Sequence, residues 1–247
     1  MDATIGATPS GRGSIQLLDG FRLTVSGRDI ALPVQAQRVL AYLAVARRPQ
    51  PRQLLAERLW TDVPNERCQA SLRTALWRIR QADHALVHSN RTTVDLDREV
   101  RVDLHDTLDQ AHRLLSGDAR PVEVDVRAES LRADLLPDWD EDWVLVEREQ
   151  LRQLRLHALE ALSTRERAAG RAAYAIHAAQ AAIACEPLRE SARCALIEAY
   201  LVEGNLAEAH RELDRFSVLL WTELRVRPSE SLRRRVDDAL GASSPRD

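Results

Sequence analysis

The chain has 247 residues, of which 45% are hydrophobic and 30% are charged, and its formal net charge is -3 at pH 7. This composition is typical of a globular protein and excludes a wholly disordered chain, while the length suffices for one large or two ordinary domains. No CxxC pair, signal-peptide core or membrane-spanning apolar run occurs, so we expect a cytoplasmic protein without a zinc module or a disulfide framework.

Charge is distributed unevenly along the chain. Residues 31–85 contain nine arginines and four acidic residues, whereas residues 101–150 contain six arginines and fourteen acidic residues. This asymmetry predicts a basic module that meets a polyanion and an acidic module with a different role.

Short β-type runs follow a predicted flexible tail over residues 1–14, which is rich in Gly, Ser, Thr and Pro. Within residues 15–32, the pairs Asp19-Gly20 and Ser26-Gly27 are tight-turn signals. The segment therefore predicts a small antiparallel sheet, which Pro33 closes.

Three helices and a hairpin are predicted next. Apolar spacing places the helices over residues 34–48, 52–60 and 67–81. Asn65 is expected to cap the third helix by accepting a hydrogen bond from one of its free N–H groups. Two strands around residues 89–91 then form a terminal hairpin.

The third helix has two contrasting faces. Its apolar stripe, which must face a core, consists of Leu72, Ala75, Leu76 and Ile79. At about 100° per residue, the opposite side carries polar and indole groups without a carboxylate: Arg67, Ser71, Thr74, Trp77, Arg78 and Gln81, with Arg73 and Arg80 at the flanks. Such a face can enter the major groove of DNA, where arginine reads guanine and indole or methyl groups contact thymine. The alternative is a solvated face whose arginines keep the protein soluble.

The terminal hairpin is predicted to act as a wing. Its tip, Asn90-Arg91-Thr92, is expected to contact the DNA backbone or the minor groove. The position of the basic helix between a sheet and a hairpin favours DNA binding over the solvated face.

From residue 142 to residue 240 the pattern is almost wholly helical and repeats. Gly170 and Gly204 lie 34 residues apart. The same register holds for Ala161 with Ala195, Leu162 with Leu196, Ala173 with Ala207 and Ala175 with Ala209. This is the tetratricopeptide period, which offers a concave surface for protein partners, although Trp221 stands where a second proline would follow Pro187. The alternative is a plain helical bundle.

An acidic segment, residues 135–149, precedes this helical region. Its carboxylates are Asp138, Asp140, Glu141 and Asp142. We expect them to cap a helix, and Trp139 and Trp143 to anchor it by packing, in preference to a catalytic or metal site.

Motifs that would indicate catalysis are missing from the sequence. His84 and His88 have i, i+4 spacing, but neither HExxH, nor a GxSxG elbow, nor a GxxxxGK[ST] run is present. We therefore expect that the protein is not an enzyme and needs no cofactor. We also expect no catalytic, cofactor-binding or metal-binding residues.

Two sets of sequence stretches carry a family resemblance that spans Ile15 to about Leu240. They are LLDGFRLTVSGRDIALP, LLAERLW and SLRTALWRIR in the first part, and LLPDWDEDWVLVEREQLRQLRLHALEAL, EPLRESA and EGNLAEAHRELDR in the second. On these stretches the chain resembles the Streptomyces-type antibiotic regulatory proteins (SARP). These are transcription activators with a winged-helix domain followed by a bacterial transcriptional activator domain.

The resemblance implies a mostly α fold with a small β component. Residues 15–105 would form an OmpR-like winged helix-turn-helix domain that binds DNA, residues 106–240 an all-α, tetratricopeptide-like activator domain, and residues 241–247 a second flexible tail. It also implies that two protomers bind side by side to direct repeats near the promoter. The bound protomers would help RNA polymerase and its sigma factor to engage the promoter.

The resemblance makes residues 67–81 the recognition helix, with Arg73, Thr74, Trp77 and Arg78 in its DNA-facing region, and it matches residues 90–92 to the wing by position. Together with the helical face, the predicted DNA-binding residues are Arg67, Ser71, Arg73, Thr74, Trp77, Arg78, Gln81, Asn90, Arg91 and Thr92.

The expected function is that of a nucleoid-associated transcription activator, a homodimer on promoter DNA that controls a biosynthetic gene cluster such as one for antibiotic biosynthesis, without a membrane partner. One alternative is a protein–protein adaptor whose N-terminal module does not bind DNA specifically. Another is a hydrolase that uses the carboxylates of residues 134–142, which would need a cleft that the helix-cap interpretation does not provide.

Overall fold

The computed structural model describes residues 13–61, 63–116 and 131–243. The chain divides into two compact units: the first runs through Asp106 and includes Asp134–Glu147, and the second comprises Thr107–Ala133 and the residues from Arg148 onward. The domain boundary between residues 105 and 106 stays a prediction. The structure adds that Asp134–Glu147 packs with the first unit.

Strands lie in the first unit, and the second unit is helical. The strands are β1 (Gly13–Gln16), β2 (Arg22–Val25), β3 (Arg28–Asp29), β4 (Gln50–Pro51), β5 (Val87–Ser89), β6 (Thr93–Leu96) and β7 (Val100–Val102). The helices are α1 (Val34–Ala46), α2 (Arg52–Leu59), α3 (Asn65–Ala82), α4 (Asp103–Leu115), α5 (Asp142–Ala168), α6 (Ala172–Cys185), α7 (Glu190–Glu203), α8 (Leu206–Leu224) and α9 (Glu230–Ser243). The predicted class, mostly α with a small β component, is confirmed.

The first sheet has the order β3-β2-β1-β7. β1, β2 and β3 are antiparallel neighbours, as predicted. Ser26 and Gly27 both have positive φ, 51° and 75°, which is the backbone that a tight hairpin with right-handed twist requires. β7 pairs in parallel with β1, and nothing in the sequence analysis indicated this strand.

The second sheet, of order β4-β6-β5, contains the predicted hairpin. β5 and β6 pair antiparallel with Ser89 opposite Val94. The additional strand β4 pairs with β6 through only Gln50 and Pro51, and it leads directly into α2.

The core of the first unit lies between α1, α2 and α3. The α3 stripe predicted to be apolar is buried, and Cys68 extends it towards the N-terminus. The buried residues of the partner helices include Val39, Leu40 and Leu43 on α1 and Leu55 and Leu59 on α2. Side chains of this size each stabilise the fold by about 1.5–3 kcal/mol when fully buried.

The start of α3 differs from the prediction. Asn65 is the first helical residue and not the cap; its amide nitrogen lies 3.4 Å from Glu57 Oε1. Pro64 occupies the cap position, and its carbonyl accepts hydrogen bonds from Arg67 N and Cys68 N at 2.9 and 3.1 Å. Proline is suited to this place because its missing N–H would have no partner at a helix start.

Aromatic packing brings the acidic segment into the first unit. Trp139 stacks against Phe21 with ring centroids 6.1 Å apart, and Trp143 meets Tyr42 edge-on at 5.2 Å. Glu141 accepts a hydrogen bond from the Trp143 indole at 2.6 Å, and its backbone carbonyl accepts from the first free N–H groups of α5. Packing is therefore observed for the two indoles, although Trp139 precedes the helix. The Glu141 carboxylate bonds an indole and not a free backbone N–H group of α5, so the predicted side-chain capping is not observed for this residue.

In the second unit, two turns repeat the predicted period. Gly170 and Gly204 lie between α5 and α6 and between α7 and α8, with φ of 73° and 80°, a conformation in which glycine is unstrained. Small buried residues on α6 allow close packing against α7. They are Ala175, Ala178, Ala179, Ala181 and Ala182. α8 has 19 residues and α6 has 14, because no proline stands at Trp221 to end the helix.

The carboxylate of Asp103 ties the chain after β1 to the start of α4. Its oxygens accept hydrogen bonds from the N–H groups of Leu17 at 2.8 Å, Leu18 at 3.1 Å and Leu104 at 2.7 Å. Burial raises the pKa of Asp103, and these three hydrogen bonds oppose that rise.

We expect Asp103→Ala to lower the free energy of unfolding by roughly 1–3 kcal/mol, because the buried N–H groups of Leu17 and Leu18 lose their acceptor. Urea unfolding followed by circular dichroism measures this. Asp106→Ala is the matched control: its carboxylate is 72% exposed and pairs with Arg101 at 3.5 Å, so the loss stays below about 0.5 kcal/mol. Equal losses of unfolding free energy in the two variants would contradict the role of Asp103 as the acceptor for these N–H groups.

Glu166 provides a pH-dependent contribution in the second unit. Its buried carboxylate accepts hydrogen bonds from Arg171 at 2.5 Å and Arg165 at 3.1 Å, and chiefly the Arg171 bond lowers the pKa of Glu166. Because the folded pKa lies below the unfolded value of 4.5, the stabilisation is complete above about pH 4.5 and is lost as the pH falls through the folded pKa.

Glu166→Gln should therefore lower the free energy of unfolding by roughly 1–3 kcal/mol at neutral pH, and the difference from wild type should shrink as the pH falls below about 4.5. Denaturant titrations at a series of pH values measure this difference. Glu203→Gln, at an exposed position, is the matched control. A difference for Glu166→Gln that does not vary with pH would refute the pKa argument.

Candidate nucleic-acid interface

The outward face of α3 carries the side chains predicted to read DNA. Trp77 is 52% exposed, although an indole of this size is usually buried. Arg67, Arg73, Thr74, Arg78 and Gln81 are also exposed, and Ser71 is half-buried. The face therefore offers donors, acceptors and an apolar surface together.

One acidic side chain lies at the beginning of this face. Because α3 begins two residues earlier than predicted, it includes Glu66, which is exposed in the first turn. From Arg67 to Ala82 the helix carries no carboxylate. The acidic residue stands where it complements the positive end of the helix dipole, so the rest of the face keeps its positive charge.

Local contacts orient two of these side chains. The Arg78 guanidinium lies over the Trp77 ring, 4.7 Å from its centroid, which is a cation–π contact. The Thr74 hydroxyl donates to the carbonyl of Ala70 at 3.1 Å, so it presents its methyl group and lone pairs outward. Arg78 and Trp77 are consequently in contact with each other on this face.

The arginines of α3 are not neutralised. Within residues 13–61, 63–116 and 131–243, no carboxylate forms an ion pair with Arg67, Arg73, Arg78 or Arg80. In the second unit, by contrast, Arg189 pairs with Glu160 at 2.7 Å. The uncompensated charge on α3 is suited to a polyanion.

The wing turn is built by its own side chains. Asn90 Oδ1 accepts hydrogen bonds from the N–H groups of Thr92 and Thr93, both at 2.8 Å, and from the Thr92 hydroxyl at 3.0 Å. Asn90 and Thr92 therefore shape the tip, while Arg91 extends from it and is exposed. Of the three predicted wing residues, Arg91 has the most freedom to contact a phosphate.

Sequence reasoning missed Arg52. It is the first residue of α2, and its Nη1 donates to the Ser89 hydroxyl of β5 at 2.8 Å. Burial lowers the pKa of Arg52, and the charges of Arg80 and Arg73 lower it further. The only sequence signal was an arginine next to Pro51 in a basic stretch, which does not reveal these neighbours.

An open cleft of about 710 Å3 is formed by other residues of the first unit. Its charged lining comprises Arg38, Arg48, Arg58, Asp140, Glu141, Asp142 and Glu147. Arg38 Nε lies 2.6 Å from Glu141 Oε1, so the carboxylate is engaged in an ion pair and in the bond to Trp143. Burial raises the pKa of Glu147. Glu141 thus serves packing and charge compensation with Arg38 across this cleft.

The two histidines noted for their spacing are separated by structure. His88 lies on β5, as expected for a strand residue, and its Nε2 faces Asp97 Oδ2 at 2.5 Å. His84 follows α3 and is exposed. In the part of the chain that the structure describes, no three His, Cys, Asp or Glu side chains are grouped to hold a metal ion.

Comparison with known proteins finds a family match for the second half of the chain. Residues 127–240 match the family model of the bacterial transcriptional activator domain. No curated protein matches the chain. Among the described residues, no helix is long and apolar enough to cross a membrane.

A solved structure shares the fold of nearly the whole chain. It is Mycobacterium tuberculosis EmbR in complex with a low-affinity phosphopeptide, with a TM-score of 0.73 and 22% sequence identity. The match covers 96% of this chain and 66% of the EmbR chain, so the chain spans somewhat less than two thirds of that protein. The comparisons therefore show a match to the bacterial transcriptional activator domain over residues 127–240 and a fold shared with EmbR over nearly the whole chain.

Proposed function

We propose that the chain is a sequence-specific DNA-binding transcription activator that acts by binding and without a catalytic step. The observation that carries this proposal is the α3 face, where exposed arginines, an indole and an amide lie together and no carboxylate of the described residues forms an ion pair with those arginines. A B-DNA major groove is about 12 Å wide and admits one α-helix. The buried stripe of α3 holds the helix so that this face can enter the groove.

Base reading is assigned to the middle and one edge of the face. Arg67 and Arg78 can each donate two hydrogen bonds to guanine, and Gln81 can pair with adenine in the same way. Trp77 and the methyl group of Thr74 are suited to thymine methyl groups. Ser71, half-buried at the edge, is assigned a supporting polar contact.

The wing is proposed to bind beside the helix. Arg91 would contact a phosphate or the minor groove, and Asn90 and Thr92 would hold the turn that presents it. Because phosphate contacts carry no sequence information, the wing fixes the register of the helix and leaves the choice of sequence to α3.

The activator domain is proposed to contact proteins. On α8, the exposed apolar side chains Val218, Trp221 and Leu224 recur every three residues and lie on one side of the helix. Such a surface is typical of protein contacts. In line with the family resemblance, we propose that this domain pairs two protomers on promoter direct repeats. We also propose that it contacts RNA polymerase and its sigma factor at the promoter of a biosynthetic gene cluster.

A protein–protein adaptor is the second candidate, and the same apolar strip of α8 favours it. An adaptor needs no DNA, so its retention on duplex DNA or heparin should be weak.

DNA binding by the full chain should depend steeply on salt. Neutralising several phosphates releases counterions, so the logarithm of the binding constant falls linearly with the logarithm of salt concentration, by about 0.9 per phosphate contacted. Fluorescence anisotropy with a labelled duplex of mixed sequence at several salt concentrations measures this slope. No measurable binding at low salt would favour the adaptor.

Arg78→Ala should remove recognition at one base pair. With a duplex selected from bound genomic fragments, we expect the variant to lose about 1–3 kcal/mol of binding free energy. Changing that base pair as well should cost the variant almost no further binding free energy. Arg28→Ala, at an exposed position on β3 in the other sheet, is the matched control. If Arg78→Ala weakened all duplexes equally, the base-reading role would be wrong.

A further inference from the structure

Arg52 is fixed at the junction between α2 and the hairpin. Its backbone N–H donates to the carbonyl of Thr92 at 2.8 Å, and its guanidinium donates to the Ser89 hydroxyl at 2.8 Å. The side chain is half-buried, so its stem is held while the guanidinium keeps donors available. These contacts set the position of one positive charge relative to both strands of the wing.

Two arginines of α3 interact electrostatically with Arg52, since α3 packs against both α2 and β5, the elements that hold Arg52. Arg73 and Arg80 are seven residues apart, which places them within about 20° of one another and about 10 Å apart along the helix. They occupy one edge of the outward face, whereas Arg67 and Arg78 occupy the opposite edge. Their charges lower the pKa of Arg52, as expected for guanidiniums that converge.

The convergence is not relieved by the protein itself. Across the described ranges, none of Arg52, Arg73 and Arg80 has a carboxylate ion-pair partner. Like charges brought together in this way repel one another, and an anion between them would remove the repulsion. Guanidinium groups match the oxygens of a phosphate in geometry as well as in charge.

We propose that Arg52, Arg73 and Arg80, the Arg52 cluster, bind the phosphate backbone of DNA where one strand passes between α3 and the wing, with the Ser89 hydroxyl orienting Arg52. This inference rests on the proposed DNA-binding function and extends it to Arg52 and Arg80, which are not among the predicted DNA-binding residues. It also assigns Arg73 to the backbone and not to a base, so the remaining residues of α3 carry sequence selectivity.

The cluster is tested with the full chain and a labelled duplex of mixed sequence, by anisotropy at several salt concentrations. Arg52→Ala and Arg80→Ala should each reduce the salt slope by about 0.9, the value for one lost phosphate contact. Both substitutions should weaken binding to all duplexes by a similar factor. The ratio of the binding constants for selected and mixed-sequence duplexes should therefore stay unchanged. Ser89→Ala keeps every charge, so it should weaken binding with little change in slope.

Arg28→Ala is the control and should keep the wild-type slope. If Arg52→Ala and Arg80→Ala also keep the wild-type slope while the wild type binds DNA, the phosphate-binding role of the cluster is wrong and the proposed function stands. If the wild type shows no salt-dependent binding, both proposals fail. Arg80 is exposed, so its variant tests the cluster even if Arg52→Ala lowers stability by releasing Ser89.

Discussion

Burial of one side of α3 is the constraint on which the first unit depends. Leu72, Ala75 and Ile79 are almost completely enclosed by the helical core, so rotation of α3 about its axis would expose them and bury arginines. The cost of burying an unpaired guanidinium is several kcal/mol. The outward position of Trp77 and Arg78 is therefore set by the residues on the other side of the helix.

Local patterns were sufficient to predict the parts of the fold that depend on neighbouring residues. The α3 stripe and the hairpin around Asn90 follow from periodicity and turn chemistry, and both are observed. β7 was missed because its parallel pairing with β1 joins distant parts of the chain through three residues. Arg52 was missed for the same reason: it lies on α2 and is oriented by β5, and no spacing in the sequence links it to Arg73 and Arg80 of α3.

Arginine has two roles in this chain, from which lysine is absent. In the second unit Arg152, Arg167 and Arg193 each pair with a glutamate from another part of the chain, and these pairs tie helices together. On α3, no described carboxylate forms an ion pair with the arginines. The difference lies in where the acidic residues stand, so the uneven charge along the sequence separates structural arginines from those available to a ligand.

The wing turn has a thermodynamic consequence. Because Asn90 closes the loop with three hydrogen bonds of its own, the bend is formed when the protein folds. Ordering a loop during association would cost about 1–2 kcal/mol per backbone residue in conformational entropy. A preorganised tip avoids most of that loss, so the phosphate contact proposed for Arg91 would restrict only side-chain rotamers.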